Sequence, residues 1–163
     1  MFIQWIVQWF GISNFPNVTY YPTLESNFGI PVVRHLIKLL HALPIPKSVR
    51  AKTKFFEVIN GLLQDGKTIH FYPEGSLWPY YEKLRHFKDG AFHFAVENNV
   101  PIIPMVYTFQ ESTGILRYIK KKPSITLTIL EPIYPDKNMN KAEAIEKLKQ
   151  ETHINMDNII KRG

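Results

Sequence analysis

Two neighbouring motifs in residues 61–79, GLLQDGKTIHFYPEGSLWP, are each of a kind that does chemistry. The first eight residues satisfy G-x-x-x-x-G-K-S/T, the phosphate-loop pattern in which backbone N–H groups and a lysine hold the phosphates of a nucleotide. The second motif, YPEGS, places a carboxylate and a hydroxyl directly after a run of strand-forming residues. Side chains at the carboxyl ends of strands line the ligand sites of open α/β sheets. The elements on either side decide which motif is functional.

The phosphate-loop motif has the wrong elements around it. A phosphate loop needs a strand before its glycines and a helix that begins at its lysine. Here residues 48–64 have the apolar spacing of a helix, Asp65-Gly66 ends that helix, and Lys67-Thr68 opens a strand. Gly61 falls inside the helical pattern, where its amide is expected to be hydrogen bonded within the helix. The sequence therefore favours a helix end followed by a buried strand over a nucleotide site.

Helix-like and strand-like patterns alternate along the whole chain. Apolar residues at helical spacing predict helices over residues 2–9, 31–40, 48–64, 91–98 and 140–159. Ser48 can cap the third of these helices, and Asn140 with Glu143 forms a capping box at the start of the last. Apolar or alternating runs predict strands over residues 18–21, 68–72, 100–109 and 124–130, the last with Ile125, Leu127 and Ile129 facing inward. No repeat, low-complexity tract or long linker divides the sequence. We therefore expect one α/β domain over residues 1–163.

The composition favours a folded domain with an anionic partner. The chain has 163 residues, 45% of them hydrophobic and 13% aromatic, which excludes a disordered chain. Its net charge is +6, and no acidic residue occurs between Glu25 and Glu57, a stretch that contains six lysines and arginines. Phosphate esters, acidic lipids and nucleic acid are the partners that such a charge attracts. The absence of cysteine excludes disulfides and thiol catalysis, and no run approaches the ~20 apolar residues that span a bilayer.

Three motifs follow one another in residues 67–109: YPEGS at 72–76, FKDGA at 87–91 and VPIIP at 100–104. This succession resembles the glycerolipid acyltransferase family, which acylates glycerol-3-phosphate and lysophosphatidate. In that family a strand ends in FPEG with Thr or Ser, F-K-x-G-A precedes a helix, and V-P-I-x-P forms a strand. Upstream, Ile45-Pro46-Lys47 resembles the family's I-x-R strand, which contacts phosphate, and downstream LEPIYP matches its late strand. The resemblance extends over residues 24–160, nearly the whole chain.

The resemblance implies a glycerol-3-phosphate acyltransferase-like α/β fold with a mixed central sheet flanked by helices. It implies transfer of a fatty acyl group from acyl-CoA or acyl carrier protein to the hydroxyl of a lysophosphatidate-type glycerophospholipid, a reaction of phospholipid biosynthesis. No metal, cofactor or nucleic acid is expected to take part. The basic surface and the aromatic N-terminus suit peripheral contact with the cytoplasmic face of the cell membrane.

Six residues receive substrate-binding roles from the resemblance. They are Glu74, Gly75 and Ser76 for the acceptor site, and Lys47, Arg50 and Arg85 for the acceptor's phosphate. Leu77 stands where many members have an arginine, so Arg85 is expected to supply a guanidinium from the same loop. Lys47 stands where the family has arginine, which keeps the positive charge but loses the bidentate fork.

One part of the family's machinery is missing from these 163 residues. Acyl transfer to a hydroxyl needs a base, and family members use the histidine of an H-x-x-x-x-D motif. None of the six histidines is followed five residues later by aspartate, so no catalytic residue is assigned. We expect that the sequence begins downstream of this motif and that the chain is nearly inactive by itself. The alternative is a non-catalytic, basic lipid-surface module of the same fold.

Overall fold

The computed structural model describes residues 18–29, 31–75, 83–110 and 124–162. The chain divides into two compact units, residues 1–71 and 72–163. Strands and helices alternate in the first unit, the second unit has two consecutive strands between two helices, and the α/β class is confirmed. The expectation of one domain over residues 1–163 stays a prediction, and the helix predicted over residues 2–9 lies outside the described residues.

The first unit contains a parallel three-stranded sheet with the strand order β2-β1-β3. Its elements are β1 (Thr19–Leu24), a short 3-10 helix (Glu25–Gly29), α1 (Pro31–Leu39), β2 (Ala42–Ile45), α2 (Val49–Gln64) and β3 (Thr68–Ile69). Each helix connects two parallel strands, which is the βαβ arrangement. Pro44 lies in β2, an edge strand of the described sheet, where a residue without an N–H is tolerated. Tyr21 and Ile37 are buried between the sheet and α1.

Local hydrogen bonds fix both ends of α2. The Ser48 hydroxyl accepts the Ala51 N–H at 3.3 Å at the start of the helix. At its end the Asp65 N–H donates to the Gly61 carbonyl at 2.9 Å, and Gly66 adopts a φ of +71°. Gly61 lies inside α2, and β3 begins two residues after Gly66. The prediction that the phosphate-loop motif is a helix end is confirmed.

The second unit pairs a two-stranded antiparallel sheet with two helices. Its elements are α3 (Gly90–Asn98), β4 (Met105–Gln110), β5 (Ser124–Ile129) and α4 (Lys141–Ile160). The core contains Phe87, Phe92, Val106, Leu148 and Met156. At the start of α4 the Asn140 side chain accepts the Glu143 N–H at 2.9 Å, at the position where the sequence predicts a helix cap.

The prediction for the inner face of β5 is wrong. Ile125 and Ile129 are 44% and 48% exposed. In the antiparallel ladder the buried Val106 of β4 lies opposite Thr128, and directly opposite residues share a face. The even-numbered residues of β5 therefore face the same side as Val106, although the predicted alternation along the strand is present. Within the described residues, no helix is long and apolar enough to cross a membrane.

Candidate functional site

Residues 72–75 of the YPEGS motif form a tight turn at the start of the second unit. The Gly75 N–H donates to the Tyr72 carbonyl at 3.0 Å, which makes Pro73 and Glu74 the central residues of a β-turn. The Lys88 N–H donates to the Pro73 carbonyl at 2.8 Å and so ties the turn to the FKDGA motif. Two of the motifs on which the family resemblance rests are therefore in direct contact.

Glu74 is a half-buried carboxylate with compensating groups around it. Desolvation raises the pKa of Glu74, while the Arg85 charge, a hydrogen bond from the Arg85 backbone N–H and the His153 imidazole act to lower it. A carboxylate in such a setting keeps a strong acceptor oxygen where water is partly excluded. Chemically it can accept a hydrogen bond from a substrate hydroxyl or orient a histidine that acts as a base.

The backbone conformation and the close neighbours of residue 75 both require a glycine. Its φ of +73° lies in the left-handed region, and a Cβ at this position would stand 2.6 Å from both Cε and Nζ of Lys88. The Lys88 side chain therefore lies directly against the turn. The sequence assigned no role to this lysine, although the F-K-x-G-A pattern contains it.

The loop that carries Arg85 and Lys88 is anchored to α4. Phe87 is 1% exposed and stacks on Phe92, with ring centroids 6.1 Å apart and planes at 15°. The His153 ring lies 4.9 Å from Phe87 at 60°. The Lys149 Nζ contacts Asp89 at 2.8 Å and Glu146 at 2.6 Å. These contacts hold the loop, and with it the turn, against α3 and α4.

The structure separates the six predicted site residues into two groups. Glu74, Gly75 and Arg85 come together in the second unit, and Ser76 lies outside the described residues. Lys47 and Arg50 belong to the first unit, where both are exposed and flank the start of α2. A helix N-terminus favours anions because its first N–H groups have no partner within the helix. These two cations are therefore well placed for a phosphate.

Two other histidines differ from His153 in their surroundings. Burial lowers the pKa of His70 to about 4, so this imidazole is neutral at physiological pH. His86 lies near Asp89, and this charge interaction contributes to lowering the pKa of the aspartate. Among the residues that the structure describes, no group of three or more histidines and carboxylates could hold a metal ion.

A family model described as Acyltransferase matches residues 2–108, well over half of the chain. The chain belongs to the acyltransferase family. The family resemblance predicted from the sequence is thereby confirmed, and all six predicted site residues fall inside the matched region.

A solved structure supports the fold assignment. The crystal structure of the 1-acyl-sn-glycerophosphate (LPA) acyltransferase PlsC from Thermotoga maritima is similar to this acyltransferase, with a TM-score of 0.58 and 21% sequence identity. The similarity covers 87% of this chain and 57% of that chain. A comparison with curated proteins gives no match.

Substitution of Gly75 by alanine tests the packing of the turn. We expect Gly75→Ala to lower the free energy of unfolding by about 1–2 kcal/mol for the left-handed backbone, plus a further amount because Lys88 must move. Gly66→Ala is the matched control, since its φ is +71° and a Cβ there meets nothing within 4 Å. Urea unfolding of both variants measures the difference. Equal losses in the two variants would contradict the close contact with Lys88, and Gly75→Ala/Lys88→Ala should remove the excess.

Proposed function

We propose that this acyltransferase moves a fatty acyl group from acyl-CoA or acyl carrier protein to the hydroxyl of a lysophosphatidate-type glycerophospholipid in phospholipid biosynthesis. The observation that carries the proposal is the YPEGS turn, in which Glu74 stands beside Arg85 within the family-matched residues. A carboxylate and a cation side by side suit an acceptor that has a hydroxyl and a phosphate. The proposal includes specificity for 1-acylglycerol-3-phosphate as the acceptor.

The proposed reaction requires a nucleophilic oxygen, a base and a group that positions the acceptor. The acceptor oxygen attacks the thioester carbonyl carbon, the new ester C–O bond forms, and the C–S bond breaks. The hydroxyl proton goes to a base and the thiolate leaves, taking up a proton to become the free thiol. Glu74 would accept a hydrogen bond from the acceptor and hold it in place, and ordered positioning of this kind is a large part of catalysis.

The acceptor's phosphate is the second feature to be bound. Arg85 is the candidate beside Glu74, and Lys47 and Arg50 are candidates at the start of α2. A charge-assisted hydrogen bond from a lysine or arginine to phosphate contributes about 1.5–3 kcal/mol. Gly75 lies in the same turn and would line the acceptor site, and Ser76 is proposed for the same role.

These 163 residues lack the histidine base that the family usually supplies. No H-x-x-x-x-D occurs in the sequence, and general acid–base catalysis contributes about 10²–10⁴-fold to a rate. We therefore expect residues 1–163 to transfer acyl groups from acyl-CoA to lysophosphatidate at a barely measurable rate. A thiol-release assay on the purified chain tests this.

Two comparisons interpret that assay. If the genomic sequence upstream encodes an in-frame H-x-x-x-x-D, the extended protein should be faster by that factor of about 10²–10⁴. Robust transfer by residues 1–163 alone would refute the expectation and show that another base is used. An extended protein that binds lysophosphatidate without transferring acyl groups would favour the non-catalytic lipid-surface module.

The phosphate contacts predict a specific kinetic pattern. In an active, extended protein, Lys47→Ala and Arg85→Ala should each lower the acceptor's kcat/KM by about 10- to 150-fold because a charge-assisted hydrogen bond is lost. The KM for the acyl donor should change little, since we propose that these cations bind the acceptor and that the donor thioester binds elsewhere. Lys47→Arg should be tolerated or improved because it restores the bidentate fork. The exposed Lys137 provides a control as Lys137→Ala, and acceptor kinetics equal to this control in both alanine variants would mean that the phosphate site is misplaced.

We also propose a peripheral place on the cytoplasmic face of the cell membrane, supported by the exposed surface of the first unit. Leu39 and Val49 are 74% and 81% exposed, and they lie in the segment without acidic residues. Exposed apolar side chains among lysines and arginines suit an anionic lipid surface, to which each cation contributes about 1 kcal/mol.

Vesicle co-sedimentation tests this membrane contact. Binding should require anionic lipid and fall as salt rises from 0.1 M. Lys38→Gln/Lys52→Gln should weaken binding by about 30-fold, since two cations are lost. Lys137→Gln/Lys161→Gln makes the same charge change on exposed lysines of the second unit. Equal weakening in the two double variants would refute this surface as the membrane contact.

A further inference from the structure

The backbone of Lys88 is held on both sides, although the residue itself is exposed. Before it, Phe87 is buried at 1% exposure. After it, the Asp89 carboxylate contacts the Lys149 ammonium of α4 at 2.8 Å. The Lys88 backbone N–H donates to the Pro73 carbonyl of the turn at 2.8 Å. The point from which the Lys88 side chain starts is therefore fixed relative to the turn.

The end of the Lys88 side chain lies across Gly75. A Cβ at residue 75 would stand 3.0 Å from Cδ, 2.6 Å from Cε and 2.6 Å from Nζ of Lys88. These distances are far inside the ~3.5 Å optimum of a non-bonded carbon contact, so a side chain at position 75 would displace the ammonium group. At the other glycines that the structure describes, a Cβ would meet nothing within 4 Å. The missing side chain of Gly75 therefore leaves the space that the ammonium group occupies.

The ammonium group of Lys88 forms no ion pair with a carboxylate of the described residues. Other lysines of the same unit do form such pairs, and they are Lys141, Lys147, Lys149 and Lys161. Glu74, the carboxylate of the turn, accepts a hydrogen bond from the Arg85 backbone N–H instead. No carboxylate in the described part of the chain thus competes with an external anion for Lys88.

A purely structural role for Lys88 would need its methylene groups and not its charge. Lysine often covers a surface with its stem while the ammonium group stays in water. Here Cε and Nζ, at the charged end, make the closest approach to residue 75, and Cδ is farther away. The contact therefore places the charge itself at the turn.

We propose that Lys88 binds the phosphate monoester of the acceptor, and that the missing side chain of Gly75 makes room for this ammonium group. A lysine ammonium is a compact charge with three N–H donors, which suits a phosphate dianion. This inference rests on the proposed function in assigning the phosphate to a lysophosphatidate-type acceptor. Coenzyme A also has a phosphate monoester, so the experiment must distinguish the two sources.

The direct test is calorimetric titration of the 163-residue chain with a short-chain lysophosphatidate. Lys88→Met keeps an unbranched stem but removes the charge, and we expect about 10-fold weaker binding, the lower end for a charge-assisted hydrogen bond. Lys88→Arg retains a charge with N–H donors and should bind within about 3-fold of the unchanged chain. Lys137→Met is the matched control because Lys137 is an exposed lysine in the loop before α4, and it should leave the affinity unchanged.

Three further ligands identify the phosphate that Lys88 binds. A monoacylglycerol of the same chain length lacks the phosphate, so Lys88→Met should bind it as the unchanged chain does. Coenzyme A and dephospho-coenzyme A differ by one phosphate monoester, and Lys88→Met should change the affinity for neither. Weaker binding of coenzyme A alone, with lysophosphatidate unaffected, would overturn the assignment to the acceptor.

A double-mutant cycle tests the part played by Gly75. Gly75→Ala should weaken lysophosphatidate binding because the added Cβ displaces the ammonium group. Gly75→Ala/Lys88→Met should bind no more weakly than Lys88→Met, since both changes remove the same contact. Gly66→Ala is the control, because Gly66 has a φ of +71° and an added Cβ there meets nothing. Additive losses in the double variant would refute the coupling of the glycine to the lysine.

The remaining outcomes separate this inference from the proposed function. Unchanged lysophosphatidate affinity in folded Lys88→Met overturns the inference, as does an unchanged chain that does not bind lysophosphatidate. Lys88→Gln replaces the methionine variant if the latter shows no cooperative unfolding in urea. Lys88-dependent binding together with an extended protein that transfers nothing would refute the proposed function alone. An active extended protein whose acceptor kcat/KM is the same in Lys88→Met would refute this inference alone.

Discussion

The desolvation of a carboxylate must be offset by nearby positive charges or hydrogen-bond donors, and the surroundings of Glu74 follow from this requirement. Desolvation alone favours the neutral acid. The Arg85 backbone N–H, the Arg85 guanidinium and the His153 imidazole each oppose it, and they come from two different segments of the chain. The loop before α3 and the helix α4 therefore both favour the ionised form of Glu74 against this desolvation.

The anchoring of that loop explains why α4 matters to a motif far from it in sequence. Lys149 is only 12% exposed and contacts two carboxylates, Asp89 and Glu146. The two carboxylates are 67% and 51% exposed, so each of these pairs contributes about 0–1 kcal/mol, the usual worth of an exposed ion pair. The pair of Lys147 with Asp136, where the lysine side chain is 50% exposed, is of the same kind. Phe87, packed on Phe92 and His153, adds apolar burial at the same place.

The candidate cations of the two units are held by different local structures. Arg85 and Lys88 are held by the turn and its loop, whereas Lys47 and Arg50 are held by the capped start of α2. The first group offsets the negative charge of a carboxylate, whereas the second group lies beside helix N–H groups that favour an anion.

The sequence by itself determined the features that depend on residues a few positions apart. The Ser48 and Asn140 caps, the end of α2 at Asp65-Gly66, the alternation of helices and strands and the rejection of the phosphate loop all rest on such short-range interactions. The YPEGS and FKDGA motifs were also readable, because each is a short run of fixed residue types. Tertiary structure alone decided which face of β5 packs inward, since Val106 of another strand sets that face. It also decided that Lys88 lies against Gly75 and that His153 acts on Glu74. These contacts join residues with no regular spacing along the chain, so only the packing of α4 and the loop against the turn brings them together.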